Sequence, residues 1–395
     1  MSRYDFDKVT DRHGTSSLKY DFGIERRRRD DLLPLWVADM DFKLPEEILD
    51  DIRDRVDHGI FGYTDPKEDY QKAVANWYGK RHGFEIKKDW NTVVPGIVYA
   101  IAVTVRAFTK PGESVIIQEP VYYPFRETIE LNKRKAVNNQ LVYRDGHYEI
   151  DFEDFEKKIE EENVKLFLLC SPHNPAGRVW TKEELIKLGD ICVKHNVTIF
   201  ADEIHSDFVF SGYKHTPFIT LGEKYTENLI LGTSPSKTFN IAGLQIANII
   251  IPDEVVRAKF KTENAAAGYS QCNVIGLSAT KSCYEKGGQW VDELLTYLEG
   301  NLDYIRSFIK EKLPKIKLIE PEGTYLIWLD FADAFDNYRE LRKFIEDEAK
   351  LWLDGGVIFG RETALFERIN IASPRSIIEQ AMEQLYAAYI KRFGN

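Results

Sequence analysis

The sequence has few cysteines and no long apolar run, and both features narrow what the chain can be. Its 395 residues include four cysteines, which lie far apart and form no C-x-x-C pair: Cys170, Cys192, Cys272 and Cys283. This spacing predicts free thiols in a reducing compartment rather than a disulfide framework or a zinc site. No stretch approaches the ~18 apolar residues of a membrane span, and the first residues lack the apolar core of a signal peptide. We therefore expect a cytoplasmic protein with no membrane partner.

The sequence also has no excess of basic residues. Asp and Glu number 64 against 53 Lys and Arg, which gives a formal net charge of −11 and argues against a nucleic-acid partner. The one basic run, residues 25–30 (ERRRRD), has acidic residues at both ends and is typical of a solvated face. The eight histidines show no metal-ligand spacing, so we expect no metal site.

From about residue 96 the chain alternates helical and strand-like segments. Residues 97–108 have helical apolar spacing, whereas residues 164–170 and 197–202 are short apolar runs typical of buried strands. Thr181 and Glu184 have the spacing of a capping box that opens a helix. This alternation predicts an α/β fold with a mainly parallel central sheet. After about residue 290 the pattern changes, which predicts a large domain of residues 50–290 and a smaller α+β domain of residues 1–49 with 291–395.

Lys237 lies in the stretch GTSPSKTFNIAGLQ, between two apolar runs. Lysine is rarely buried without a partner. An isolated lysine in such a place is most often a surface residue whose stem packs on apolar groups. The alternative is an amine that is used chemically, as a Schiff-base former.

Other residues at strand ends favour the chemical interpretation. Asp202 and Asn174 each end an apolar run, Tyr122 follows a third, and Gly96 opens a helix. Singly, these residues read as an N-cap, a turn residue, a core residue and a helix start. Together, at the carboxyl edge of one sheet, they match pyridoxal phosphate, which needs an amine, a partner for its pyridine nitrogen, a stacking ring and an anion site. The amides of Ile97 and Val98 at a helix N-terminus, with the Ser234 hydroxyl, are candidates for binding its phosphate.

The chain resembles the fold-type I pyridoxal-phosphate enzymes, the superfamily of class I and II aminotransferases. Within them it is similar to the branch of cystathionine β-lyases and cysteine-S-conjugate β-lyases. The resemblance runs nearly end to end and rests on the ordered motifs LPLWVADMDF, FGYT, EPVYYPF, SPHNPAGRVWTKEEL, ADEIHSDF, SPSKTFNIAGLQ, GTYLIWLD and NIASPR. It implies the aspartate aminotransferase-like fold.

The resemblance also implies roles for individual residues. Lys237 is the catalytic residue, which binds the cofactor aldehyde and later moves the substrate proton. The implied cofactor-binding residues are Gly96, Ile97, Val98, Tyr122, Asn174, Asp202, His205, Ser234, Ser236, Lys237 and Tyr63. The implied substrate-binding residues are Arg375, which grips the α-carboxylate, and Trp36, Ala38, Asn174 and Tyr325. Tyr63 is expected to reach across a homodimer interface to the partner's phosphate.

Two positions depart from the aminotransferase pattern. His205 stands three residues after Asp202, where aminotransferases commonly have tyrosine, and Gln245 stands eight residues after Lys237, where they commonly have a phosphate-binding arginine. Both departures are expected in the β-lyase branch. They favour elimination from L-cystathionine or another cysteine S-conjugate, which yields a thiol, pyruvate and ammonia. An aminotransferase of aromatic or small aliphatic amino acids, and an amino-acid-sensing or partner-binding regulator that retains the cofactor, stay as alternatives.

Overall fold

The computed structural model describes residues 3–394; residues 1, 2 and 395 of the predicted small domain lie outside the described residues. In this part of the chain the α-helices are α1 (Glu46–Asp57), α2 (Glu68–His82), α3 (Ile97–Phe108), α4 (Pro124–Leu131), α5 (Phe152–Glu161), α6 (Lys182–Lys194), α7 (Glu223–Thr226), α8 (Pro235–Thr238), α9 (Glu254–Ala266), α10 (Val274–Lys286), α11 (Gly288–Lys312), α12 (Tyr338–Lys343) and α13 (Arg375–Phe393). The strands are β1 (Leu33–Pro34), β2 (Asn91–Val94), β3 (Ser114–Ile117), β4 (Lys135–Asn138), β5 (Val142–Arg144), β6 (His147–Glu149), β7 (Leu166–Cys170), β8 (Thr198–Asp202), β9 (Leu229–Thr233), β10 (Ala247–Ile250), β11 (Lys317–Ile319), β12 (Leu326–Asp330), β13 (Leu351–Trp352), β14 (Asp354–Gly355) and β15 (Phe366–Asn370).

A seven-stranded sheet has the spatial order β2, β10, β9, β8, β7, β3, β4. The pairs β3–β4, β3–β7, β7–β8 and β8–β9 are parallel, and only β10 runs antiparallel to its two neighbours. The strands β7, β8 and β9 are buried along their whole length, because a parallel sheet is covered by helices on both faces. The predicted parallel sheet is thus confirmed, and so is the capping box of Thr181 and Glu184 at the start of α6.

The register of this sheet brings the strand ends together. Cys170 pairs with Asp202 across β7 and β8, and Asp202 pairs with Gly232 across β8 and β9. The loops that follow β7, β8 and β9 therefore start side by side at one edge. These loops carry Asn174, His205 and Lys237, so the chain folds into a crevice at the place where α/β sheets bind ligands.

A second, antiparallel sheet has the order β11, β12, β15, β14 and is formed by residues 317–370. Near it, β1 pairs in parallel with β13, with Leu33 opposite Leu351. Because an N-terminal segment packs there with the C-terminal part of the chain, we propose the division into domains that the sequence predicts. The four cysteines are free, as predicted. None of the helices within residues 3–394 is both long and apolar enough to cross a membrane.

Candidate active site

A cavity of about 400 Å³ opens at the carboxyl ends of β7, β8 and β9. Its lining includes many of the residues singled out from the sequence: Ala38, Gly96, Ile97, Val98, Tyr122, Asn174, Asp202, His205, Ser236 and Lys237, together with Pro95, Tyr99, Cys170, Ile204, Ala242 and Gln245. Most of the predicted cofactor-binding residues therefore face one space, although they come from five separate stretches of the chain.

Lys237 is held on the short helix α8, which begins after the N-cap Ser234. Its Nζ donates a hydrogen bond of 2.7 Å to the carbonyl oxygen of Ala38. Burial and, second, the nearby positive charge of Arg368 lower the pKa of Lys237 to about 8. A lysine amine with a depressed pKa is partly neutral near neutral pH, which is what a nucleophile or a proton-transfer base needs.

Asp202 and His205 lie on the loop side of β8, and both are buried. Burial raises the pKa of the Asp202 carboxyl to about 7. The amide of Ile204, which donates a 3.1 Å hydrogen bond to Oδ1, lowers this pKa but does not outweigh burial. Burial and the charges of Lys237 and Arg368 lower the pKa of His205 well below its ordinary value, so its imidazole is neutral. The Nδ1 atom of His205 has no hydrogen-bond partner within the described residues.

The opposite end of the cavity is formed by the N-terminus of α3. Gly96 is its N-cap residue, and Ile97 and Val98 are its first two residues, whose amides lie in the first turn and have no intrahelical acceptor. A methyl group added at Gly96 would meet no heavy atom within 4 Å, so the backbone there borders open space. Ser236 lines the cavity, whereas Ser234 Oγ donates to the Ile246 carbonyl at 2.7 Å and accepts from the Ser236 amide. In this structure Ser234 supports Ser236 rather than lining the cavity.

The structure does not bring Arg375 to the cavity. Its Nε donates to Asn301 Oδ1 at 2.8 Å, and its guanidinium lies over the ring of Tyr304, 5.1 Å from the centroid. Both contacts hold the side chain against α11, away from Lys237 and Asn174. The prediction that Arg375 binds the substrate α-carboxylate is therefore corrected.

Arg368, seven residues earlier on β15, contacts Asn174, which lines the cavity, although Arg368 is not itself among the lining residues. It is 3% exposed, and Nη1 donates to Asn174 Oδ1 at 3.0 Å. Nη2 donates to the Trp36 carbonyl at 2.8 Å and to Asp354, while Nε has no partner among residues 3–394. The sequence does not single out Arg368. In the structure β15 is buried along its whole length, and a charge buried there needs a partner.

The irregular segment of residues 36–42 contacts both Arg368 and Lys237. On one side its carbonyls of Trp36 and Val37 accept hydrogen bonds from Arg368 and Asn370 of β15. On the other side the Ala38 carbonyl accepts from Lys237. The Met40 amide and carbonyl, at 2.9 and 2.7 Å, pair with the side chain of Asn240.

Trp36, Ala38 and Tyr325 were predicted to bind substrate. Of these three described residues, only Ala38 lines the cavity directly. The Trp36 ring stacks on Trp352 with centroids 4.6 Å apart, so it contributes its carbonyl to the site through Arg368. The Tyr325 hydroxyl donates to the Ala38 carbonyl at 2.9 Å, and its ring packs against His205 at 5.8 Å. Both aromatic residues thus support other groups of the site.

Tyr63 lies apart from the cavity in this chain. It is 96% exposed and lines an adjoining cleft with Pro95 and Gln245, both of which also border the cavity. Its predicted role across a subunit interface stays a prediction.

Comparison with known proteins identifies the family of this chain. The family model described as "Aminotransferase class I and II" matches residues 30–385. The chain belongs to the class I and II aminotransferase family. It is 43% identical to cystathionine beta-lyase PatB of Bacillus subtilis, over 97% of this chain and 99% of that protein. Its fold matches cystalysin from Treponema denticola, whose crystals contain pyridoxal 5′-phosphate, with a TM-score of 0.95, 39% identity and coverage of 98% and 99% of the two chains.

A PLP-bound putative aminotransferase from Clostridium difficile is equally similar, with a TM-score of 0.95, 40% identity and the same coverage. The predictions of the family, of the aspartate aminotransferase-like fold and of the β-lyase branch are thereby confirmed.

The cavity fits the cofactor of this aminotransferase family. Lys237 offers an amine, and Asp202 is a buried carboxyl that a cation at the pyridine nitrogen would keep ionised. Nδ1 of His205 and the helix N-terminus at Gly96 provide polar groups that have no hydrogen-bond partner among the residues that the structure describes. Tyr122, half-buried in the wall, offers a ring face for stacking.

Gln245 takes the position where aminotransferases of this family commonly carry arginine, and it borders the cavity as an exposed residue. Its Nε2 donates to the Ala242 carbonyl at 3.2 Å. We expect Gln245→Arg to tighten cofactor binding by about fivefold, the effect of an exposed charge pair of ~1 kcal/mol. Titration of the apoprotein with pyridoxal phosphate, followed by quenching of tryptophan fluorescence, measures this. Gln245→Glu is the matched control and should weaken binding; equal affinity of all three proteins would contradict the expectation.

Proposed function

We propose that this protein is a pyridoxal-phosphate-dependent carbon–sulfur β-lyase that acts on L-cystathionine or another cysteine S-conjugate. The observation that carries the proposal is the similarity to cystathionine beta-lyase PatB over nearly the whole of both chains. Overall, a cysteine S-conjugate and water give a thiol, pyruvate and ammonia.

The cofactor fits at the residues that the sequence singles out. In this proposal Lys237 binds its aldehyde, Asp202 pairs with its pyridine nitrogen, and the amides of Ile97 and Val98 with the Ser236 hydroxyl bind its phosphate. Bound there, pyridoxal phosphate supplies a ring that takes up the electron pair left when the Cα–H bond of an amino acid breaks.

Arg368 and Asn174 orient the substrate. Arg368 is a buried cation whose Nε has no partner among residues 3–394 and whose Nη1 is bonded to Asn174, and a guanidinium is suited to binding a carboxylate. An α-carboxylate held there directs the Cα proton toward the amine of Lys237, which removes it. The bond from Cβ to sulfur then breaks, and a thiolate is a good leaving group because thiol pKa values lie near ~8.5.

We also propose a cytoplasmic homodimer with active sites shared between subunits. Ile60, Phe61 and Tyr63 are exposed apolar residues on one loop, at 66%, 56% and 96%, next to the cleft that adjoins the cavity. A second copy of the chain that covers this loop would bring Tyr63 toward the partner's phosphate site.

Incubation of the holoenzyme with L-cystathionine and no keto acid tests the function. We expect release of free thiol and pyruvate in equal amounts, measured with a thiol reagent and with lactate dehydrogenase. The aminotransferase alternative, supported by the likeness to the putative aminotransferase from Clostridium difficile, predicts a different result. An aminotransferase would release neither product and would convert L-amino acids only when a keto acid is added.

A further inference from the structure

The last acidic residue of the motif ADEIHSDF, Asp207, is buried but does not line the cavity. Its carboxylate is surrounded by four polar groups. Three come from α2: Trp77 Nε1 donates to Oδ2 at 3.2 Å, Arg81 Nε donates to Oδ1 at 3.3 Å, and His82 Nε2 lies 2.9 Å from Oδ1. The fourth is the hydroxyl of Thr238, which donates to Oδ2 at 2.7 Å. Asp207 therefore joins α2 to the residue that follows Lys237.

The helix that carries Lys237 depends on such contacts. Helix α8 has only four residues, and a helix of this length is not stable through its own hydrogen bonds. Thr238 is 1% exposed, and the next residue, Phe239, packs its ring on Trp77 with centroids 5.2 Å apart. The turn that carries Lys237 is therefore seated on α2 by a hydrogen bond and an aromatic contact.

The surroundings of Asp207 favour its ionised form near neutral pH. Burial alone would raise its pKa, but the hydrogen bond and charge of His82, the charge of Arg81 and the hydroxyl of Thr238 together lower the pKa to about 2. Hydrogen bonds to ionised acceptors are stronger than bonds between neutral groups. The bond from Thr238 is thus a strong and directional attachment for α8.

We propose that Asp207 is a positioning residue for Lys237, and that it acts through the hydroxyl of Thr238. It fixes α8 so that the lysine amine faces the substrate Cα. The inference rests on the proposed function only in giving Lys237 the task of moving the Cα proton; it holds for elimination and for transamination alike.

Substitutions at Thr238 test the proposal more cleanly than Asp207→Ala, which would also remove the acceptor of Trp77 Nε1 and the partner of His82. Thr238→Val keeps the shape of the side chain and removes the hydroxyl, whereas Thr238→Ser keeps the hydroxyl. The assay is the exchange of the Cα proton of L-alanine in D₂O by the holoenzyme, followed by NMR. This exchange needs proton removal by Lys237 and no leaving group.

We expect Thr238→Val to lower the maximal exchange rate about tenfold, less than the ~100-fold that a 1 Å displacement can cost. The half-saturating alanine concentration should change less than twofold, because Arg368 and Asn174 lie on other elements. Thr238→Ser should keep at least half of the rate. Backbone amide hydrogen exchange of residues 236–240 should be about fivefold faster in Thr238→Val and unchanged in Thr238→Ser, with residues 97–108 as the internal reference.

Three results would overturn the proposal: Thr238→Val that exchanges like the parent protein, a serine variant as slow as the valine variant, or a loss confined to substrate affinity. A parent holoenzyme that exchanges the alanine proton but releases no thiol from L-cystathionine would refute the proposed lyase function alone. In that case the comparison of the Thr238 variants keeps its meaning.

Discussion

Lys237→Ala is expected to lower the rate of pyruvate release from a cysteine S-conjugate by at least about 10³-fold, within the range that positioned acid–base groups supply. Among residues 3–394, Lys237 is the one lysine that lines the cavity, and the variant loses the base proposed for the substrate Cα proton. Mass spectrometry after treatment with borohydride gives an independent readout. The parent holoenzyme should gain the mass of a cofactor linked to its lysine, and the variant should not.

The matched control is Lys43→Ala. Lys43 lines a neighbouring cavity of about 570 Å³, which Lys237 also borders, but it is not among the residues that line the cofactor cavity. It should keep the covalent link and at least half of the activity. A covalent link that persists in Lys237→Ala, or that disappears in Lys43→Ala, would contradict the assignment of the amine.

Arg368→Gln is expected to raise KM for amino-acid substrates by about 100-fold, which corresponds to the ~3 kcal/mol typical of losing one partner of a buried charged pair. The substituted side chain keeps hydrogen-bonding capacity but loses the charge and the fork that a carboxylate needs. Steady-state kinetics give KM, and the cofactor absorbance of the variant shows whether the cofactor still binds.

Arg375→Gln provides the contrast, because the same substitution there removes contacts with Asn301 and Tyr304 only. KM should change less than about twofold. An increase in KM for Arg375→Gln with none for Arg368→Gln would restore the role that the sequence suggested for Arg375.

Much of this arrangement could be predicted from the sequence, because local patterns determine it. The capping box at Thr181, the helix over residues 97–108 and the apolar runs of β7 and β8 each give the element that the structure contains. Since the carboxyl ends of parallel strands share one edge, Asn174, Asp202 and Lys237 were expected to converge, and they line one cavity.

The arginine could not be chosen by the same means. Arg368 and Arg375 lie in one short stretch, ERINIASPR, and each is adjacent to apolar residues. The two arginines differ in their contacts with residues distant in sequence. Arg368 contacts Asn174, 194 residues away, whereas Arg375 contacts Asn301. The reversed direction of β10 and the inward turn of Ser234 are likewise set by packing between distant segments, which periodicity does not report.

The segment of residues 36–42 has a consequence for how the enzyme matures during synthesis. The Ala38 carbonyl accepts from a lysine 199 residues later, and the Trp36 carbonyl from an arginine 332 residues later. Contacts of such sequence separation form late, because long loops must close first. The segment can therefore make its contacts with both Lys237 and Arg368 only after β15 has left the ribosome. A nascent chain that ends before residue 366 carries Lys237 and the residues proposed to bind the phosphate, yet it lacks Arg368 and the contacts that β15 makes with this segment.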